Sequence, residues 1–299
     1  MQDSVFTRGA PASSQRLGWT AIAANCRGYE LLLITWFSCA ALLTWFAGIS
    51  SAHLLGAAIT PVALYIAAAA ETQYGRRWSG IFRDWIVLAL IPVAYWEVGW
   101  FDSPPLIHLQ QIWIGWDHAL LVTFGLQAAI ESLGPVLPAC FEFIYLCLYA
   151  IPPLCLGAVY YWGRRQRANR FLSVLFLGTL TVYALLPLIP TVGPRFAFPG
   201  HDLPHFFSIW RSANLYVLDH LDISTSVFPS GHVAVAFSSA LGLLRAVPEK
   251  RWLGFSAIAI AFAVFVATIY CRYHYAVDGL ASIAIALAAW RLEGMLSDR

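Results

Sequence analysis

Long apolar runs alternate with short polar breaks along most of the chain. A helix needs about 20 apolar residues to cross a bilayer. Eight stretches approach that length, at 30–49, 51–70, 85–101, 135–162, 171–190, 230–247, 252–270 and 274–296. The pattern predicts a spanning helix in each. The first two are joined only by Ser50 and Ser51, with His53 close behind, which predicts a tight hairpin. Pro152 and Pro153 predict a kink in the fourth, because proline removes a helix hydrogen bond and crowds the preceding turn. Residues 104–120 differ: Leu106, Leu109, Trp113, Trp116 and Leu120 recur at spacings of three and four, in a segment too polar to span. Their tryptophans suit the headgroup level, so an interfacial helix is expected there.

Composition settles the class. The 299 residues are 60% hydrophobic and 11% charged, with a mean hydropathy of +0.67. A soluble globule carries about 25% charged residues, so this chain cannot clothe its surface in polar groups. A cytosolic enzyme, a disordered chain and a nucleic-acid partner are excluded. The expected fold is all-α, a polytopic integral membrane protein with about eight spans. The organisation reads as a cytoplasmic segment over 1–28, a transmembrane hairpin over 29–70 and a membrane core over 71–299. The first segment is polar and holds arginines, without the apolar stretch of a signal peptide. The six cysteines form no CxxC pair and most lie in apolar runs, where free Cys acts as a small hydrophobe. Asn-x-Ser/Thr is absent, which fits a bacterial protein, and the expected location is a bacterial inner membrane.

Charge gives the orientation. With the N-terminus inside, alternate loops place 15 of the 18 lysines and arginines on the cytoplasmic side, as the positive-inside rule requires. All eight histidines fall on the outer side, together with Arg195, Arg211 and Arg272. Three short segments there converge at outer helix ends: Gly193–Pro194–Arg195, Pro229–Ser230–Gly231–His232, and Arg272 through Asp278.

Ser230, Gly231 and His232 open a helix, where unpaired N–H groups and the positive dipole end attract an anion. Gly231 lets a ligand approach the backbone closely. His274 and Asp278, four apart, share a helix face. A carboxylate so placed accepts the proton of one ring nitrogen and leaves the other free to attack. Arg195 and Arg272 offer planar forks suited to phosphate oxygens. Each piece alone has a plainer reading: a helix cap for Ser230, an ion pair or metal ligands for His274 and Asp278, snorkelling for the arginines. Together they read as a phosphoryl-transfer site, because polar groups are costly where these gather. No third ligand has zinc spacing, so no metal and no cofactor is expected. Asp117, His118 and Glu142 are candidate contacts for a headgroup or acceptor, and Glu97 stands near the outer end of its span.

Phe228-Pro229-Ser230-Gly231-His232, followed by Arg272-Tyr-His274-Tyr-Ala-Val-Asp278, resembles the type-2 phosphatidate phosphatase superfamily, which shares its site with vanadium haloperoxidases. The resemblance covers roughly residues 85–296 and implies a six-helix phosphatase core, leaving the 30–70 hairpin as an addition. It implies His274 as nucleophile, Asp278 as its orienting partner and His232 as acid–base. The commonest first motif has Lys seven before its Arg and Pro after it; here Leu188 and Phe196 stand at those places. The commonest third motif has Ser-Arg where this chain has Ala267 and Thr268, while Arg272 lies two before His274. That pattern is similar to the branch containing the inositol phosphorylceramide synthases. The expectation is a metal-independent lipid phosphatase or phosphoryl-alcohol transferase. It would work through a phosphohistidine at the extracytoplasmic face, with a membrane lipid as substrate and an alcohol such as inositol as candidate acceptor. The competing reading is a transporter or binding protein that uses the same basic site without chemistry.

Overall fold

The computed structural model describes residues 26–74, 77–101, 103–162, 165–223 and 226–297. Among these there is no strand. The N-terminal segment expected over 1–28 therefore lies mostly outside the described residues. The helices are α1 (Gly28–Phe46), α2 (Ser51–Tyr74), α3 (Arg77–Ile86), α4 (Leu90–Val98), α5 (Ile107–His118), α6 (Leu126–Glu131) and α7 (Val136–Leu146). They continue as α8 (Ile151–Tyr161), α9 (Ala168–Leu185), α10 (Pro194–Ala197), α11 (Ile209–Leu221), α12 (Gly231–Ala246), α13 (Arg251–Tyr270) and α14 (Ala276–Ser297).

Among the described residues, five continuous stretches are long and apolar enough to cross a membrane: α1, α7 with α8, α9 with its flanking turns, α13, and α14. Residues 51–67 and α12 are apolar but shorter. The chain is an integral membrane protein, with fewer full-length spans among the described residues than the eight read from the apolar runs. One difference lies within a single run. The run at 85–101 is divided by a 3₁₀ turn at Val87–Ala89 into α3 and α4, and Arg83 and Asp84 in α3 are held by ion pairs. The run at 135–162 tightens to 3₁₀ at Cys147–Ala150, and Pro152 and Pro153 open α8. Neither proline has an N–H to return to the carbonyls of that turn.

Helices α9 and α12 form the centre. Each packs on the other and on α14; α12 also meets α8 and α13, and α9 carries α1 of the hairpin. A helix apolar all round belongs inside a bundle, and α12 is buried on nearly every face from Val233 to Leu243. Small residues allow the contact: a Cβ at Gly178 of α9 would stand 2.2 Å from Ser238 Oγ of α12. Close backbone approach of this kind supplies dispersion contact where lipid offers no hydrophobic drive between helices.

The interfacial helix turns its polar side inward. α5 buries Gln110, Trp113 and Asp117, while Leu106 and Trp116, expected on its anchoring face, are exposed. The expected anchoring face is thus divided: Trp113 packs inward against Phe228 and Tyr275, while His108, Gln111 and His118 share the exposed side with Leu106 and Trp116.

At the end of the bundle opposite His274, the hairpin is fastened by charge. Arg83 Nε donates to Glu30 Oε1 at 2.9 Å, Tyr29 donates to Asp84 at 2.8 Å, and Arg27 pairs with Asp84. Gly178→Ala should destabilise the protein by about 1–3 kcal/mol, since the added methyl has no room. Gly56→Ala, with nothing within 4 Å of its Cβ, should be neutral or up to about 1 kcal/mol stabilising through the unfolded chain. Denaturant titration in detergent reads both, and equal effects would refute the tight α9–α12 contact.

Candidate active site

Three chain segments are stitched together at the N-terminal ends of α12 and α14. Ser226 and Val227 donate backbone N–H to Thr191 O at 2.8 and 3.1 Å, and Ser230 N donates to Asp278 O at 3.1 Å. Ser282 Oγ donates to Ser230 O at 2.8 Å, and Gln110 Nε2 to Val192 O at 2.8 Å. The segments after α9, before α12 and before α14 thus share one backbone framework. α12 has 16 residues, so it is about 24 Å long at ~1.5 Å per residue. That falls short of the ~30 Å apolar layer, and its N-terminus is set back into the bundle.

The end of α13 aims the chemistry. Arg272 N donates to Ile269 O and Tyr273 N to Thr268 O, the paired bonds of a Schellman motif. That motif needs a left-handed residue after the cap, usually glycine; here it is Arg272, at φ +64°. An L residue held in this region costs of order 1–3 kcal/mol. The turn throws His274 back beneath α14, where Asp278 receives it. Asp278 Oδ2 lies 3.3 Å from His274 Nδ1 and accepts from Tyr275 N at 2.9 Å. With the ring proton held on Nδ1, the lone pair of Nε2 points out of the pair, and His232 Nδ1 lies 3.2 Å from it. Burial pushes His274 down to about 4, so the ring is neutral and nucleophilic at neutral pH.

Donors for an anion stand close by. Ser230 Oγ accepts from Val233 N at 3.3 Å, which gives Ser230 the cap role. The N–H groups of Gly231 and His232 form the open first turn of α12. A Cβ at Gly231 would come within 3.0 Å of the Tyr183 ring, so this backbone stays bare. Arg195 Nη1 donates to Asp219 at 3.0 Å while its buried Nη2 has no partner among the described residues. Arg272 is 1% exposed; Nη1 donates to Asp117 Oδ2 at 2.9 Å, and Nε and Nη2 are likewise unpartnered. Unsatisfied guanidinium N–H groups away from water are expensive, and an oxyanion would satisfy them.

The three candidate headgroup contacts separate. Asp117 is 1% exposed and both its oxygens are engaged, one by Arg272 and the other by Ala276 N at 3.0 Å. It holds the site's arginine and the start of α14 from behind. Glu142 is buried too, accepting from Arg211 at 2.9 Å, Asn214 at 2.7 Å and Tyr273 at 2.7 Å. That network ties α11 to α7 and leaves Glu142 no free face. Only His118 is accessible, 55% exposed, with Asp202 at 2.9 Å. Glu97 is buried and accepts from Trp36 Nε1 at 3.3 Å.

Two tyrosines beside the histidines were not among the expected site residues. Tyr145 and Tyr149 stand 3.3 and 3.4 Å from the two ring nitrogens of His232; their four-residue spacing in an apolar run was the available signal. A cavity of about 420 Å³ reaches His232 and His274 from between α4, α8 and α11, and Asp222 lies on its wall.

Residues 112–292 match the PAP2 superfamily, and the chain belongs to that superfamily. A Dictyostelium discoideum protein described as PA-phosphatase related is 28% identical over 128 residues, 41% of this chain. The match spans only 22% of that relative's length. No solved structure matches.

Asp117→Asn sets an NH₂ group against either Arg272 Nη1 or Ala276 N–H. Breaking a buried pair in this way should cost about 3–5 kcal/mol, whereas Asp202→Asn, opposite the exposed His118, should cost at most about 1 kcal/mol. Similar small losses in denaturant titration would place Asp117 at a solvated surface instead.

Proposed function

We propose that this protein is a membrane phosphatase or phosphotransferase acting on a lipid phosphate, diphosphate or phosphodiester. The observation that carries this reading is the line Asp278–His274–His232, with the free nitrogen of His274 facing a second histidine at 3.2 Å. His274 Nε2 attacks phosphorus and forms an N–P bond as the P–O bond to the alcohol breaks. His232, protonated, gives its proton to the departing oxygen, since an alkoxide leaves poorly unaided. Arg195, Arg272 and the N–H groups of Gly231 and His232 hold the remaining oxygens and supply the charge compensation, so turnover proceeds without a divalent metal. Water then attacks the phosphohistidine, His232 takes its proton, and phosphate and neutral His274 are regenerated. An alcohol acceptor such as inositol in place of water gives transfer, the outcome implied by the resemblance to the inositol phosphorylceramide synthase branch.

The division of basic residues supports an extracytoplasmic site and an eight-span topology in which a six-helix core carries the hairpin. Purified protein incubated with a panel of lipid phosphates, with and without inositol, tests the reading when free phosphate and new lipid products are scored together. Binding of lipid phosphates without either product would favour a transporter or binding protein.

Two predictions follow the roles. His274→Ala should abolish turnover of every substrate. His232→Ala loses proton donation, worth about 10²–10⁴-fold, on an alkyl lipid phosphate, yet should keep burst release from an aryl phosphate, whose phenolate leaves unaided. Equal loss of both bursts would overturn the assignment.

A further inference from the structure

The cavity in front of the histidines is walled mainly by hydrocarbon, including Leu88, Ile91, Leu148 and Val235, and Asp222 is the only acidic side chain on its wall. One oxygen of Asp222 accepts from Tyr95 OH, which in turn receives Ile223 N–H at 3.4 Å. Trp96 Nε1 donates to Leu221 O at 2.8 Å, so α4 fixes this end of α11 firmly. The other oxygen of Asp222 has no hydrogen-bond partner among the described residues. Its position is unfavourable on local grounds, because Asp222 caps the C-terminus of α11, where the helix dipole repels a carboxylate. Neither helix stability nor a cation partner explains it.

Asp222 does not hold the phosphate itself. Arg195 and Arg272, the cationic groups of the site, do not line this cavity, and a carboxylate repels a phosphate anion. Asp222 nevertheless shares the cavity wall with both histidines. Gly231, His232 and His274 line the same cavity, so the phosphorus belongs at their end and the wall at Asp222 faces the alcohol side. An ionised carboxylate only accepts hydrogen bonds, so its complement in an apolar chamber is a hydroxyl group.

We propose that Asp222, oriented by Tyr95, binds a hydroxyl group carried by the alcohol next to the reacting phosphorus. This selects polyol-type alcohols over plain alkyl or polyprenyl ones. The inference rests on the phosphoryl-transfer reading above. The hydroxyl has two sources: a second hydroxyl of the lipid's own headgroup or backbone, or the acceptor alcohol. A hydroxyl-free alcohol would leave the carboxylate unpaired, and sites built to bond a hydroxyl discriminate strongly against analogues that lack it.

The test compares paired substrates. In one arm, kcat/KM is measured for 1-acylglycerol 3-phosphate, with its free hydroxyl, and for a monoalkyl phosphate of equal chain length. In the other, the ratio of transfer to hydrolysis is measured with glycerol and with ethanol as acceptor. Asp222→Asn should reduce the preference for the hydroxyl-bearing partner by about 10- to 100-fold in one arm, the range of a charge-assisted hydrogen bond. The arm that responds identifies the source. Tyr95→Phe, which leaves the carboxylate but loosens it, should shift the same ratio in the same sense by less, and it serves if the first variant does not fold. Ratios unchanged in both arms, or equal falls for both members of each pair, would overturn the proposal. Absence of turnover by the unaltered protein on every substrate would instead overturn the phosphoryl-transfer reading beneath it.

Discussion

Two buried carboxylates clamp the five residues between α13 and α14. Asp117 takes Arg272 and the N–H of Ala276; Asp278 takes His274 and the N–H of Tyr275. Both acids are removed from water, so neither can exchange its partner for solvent. Removing a partner from such a pair strands a charge at a cost of several kcal/mol. The loop is held from both ends by groups with no alternative, and the left-handed Arg272 is tolerated because the surroundings over-determine it. The direction of the His274 ring and of the arginine's free N–H edge both follow from that clamp.

The rest of the molecule supplies the low dielectric that gives those interactions their strength. α12 is enclosed on almost every side by α8, α9, α13 and α14, and its first turn ends short of the bilayer's apolar thickness. Charges that develop there are compensated by fixed dipoles and guanidinium groups rather than by water, which is where preorganised donors act most strongly. The same enclosure obliges remote charges to pair. Glu142 with Arg211, and Glu30 with Arg83, serve helix docking at different places in the bundle. Burial of an ionisable residue in a membrane protein is thus not by itself a mark of the active centre.

The interfacial helix α5 joins these two themes. Its tryptophans drew attention as lipid anchors, but its structural weight lies in Gln110 and Asp117, which reach the segment at Val192 and the loop at Arg272. A helix lying across the bundle end can bond loops from different helices because it runs across them. Trp113 of the same helix packs against Phe228 and Tyr275.

The residues themselves determined the solvent, the helical class and the cluster at the heart of the site. A chain this poor in charge cannot dissolve, backbone groups in lipid must bond internally, and the spacing of His274 and Asp278 sets them together on any helix. Local rules therefore sufficed for the cap at Ser230 and the ring-to-carboxylate bond. They failed wherever the outcome depended on what lies across the bundle. The 85–101 run was interrupted by a 3₁₀ turn at Val87–Ala89, Asp117 turned inward because Arg272 lay 155 residues away, and Tyr95 met Asp222 over a separation of 127. Apolarity and periodicity report only a residue's own neighbours along the chain. Which charge meets which, and which hydroxyl faces the cavity, were decided by the packing of α4, α5 and α11 around the two central helices.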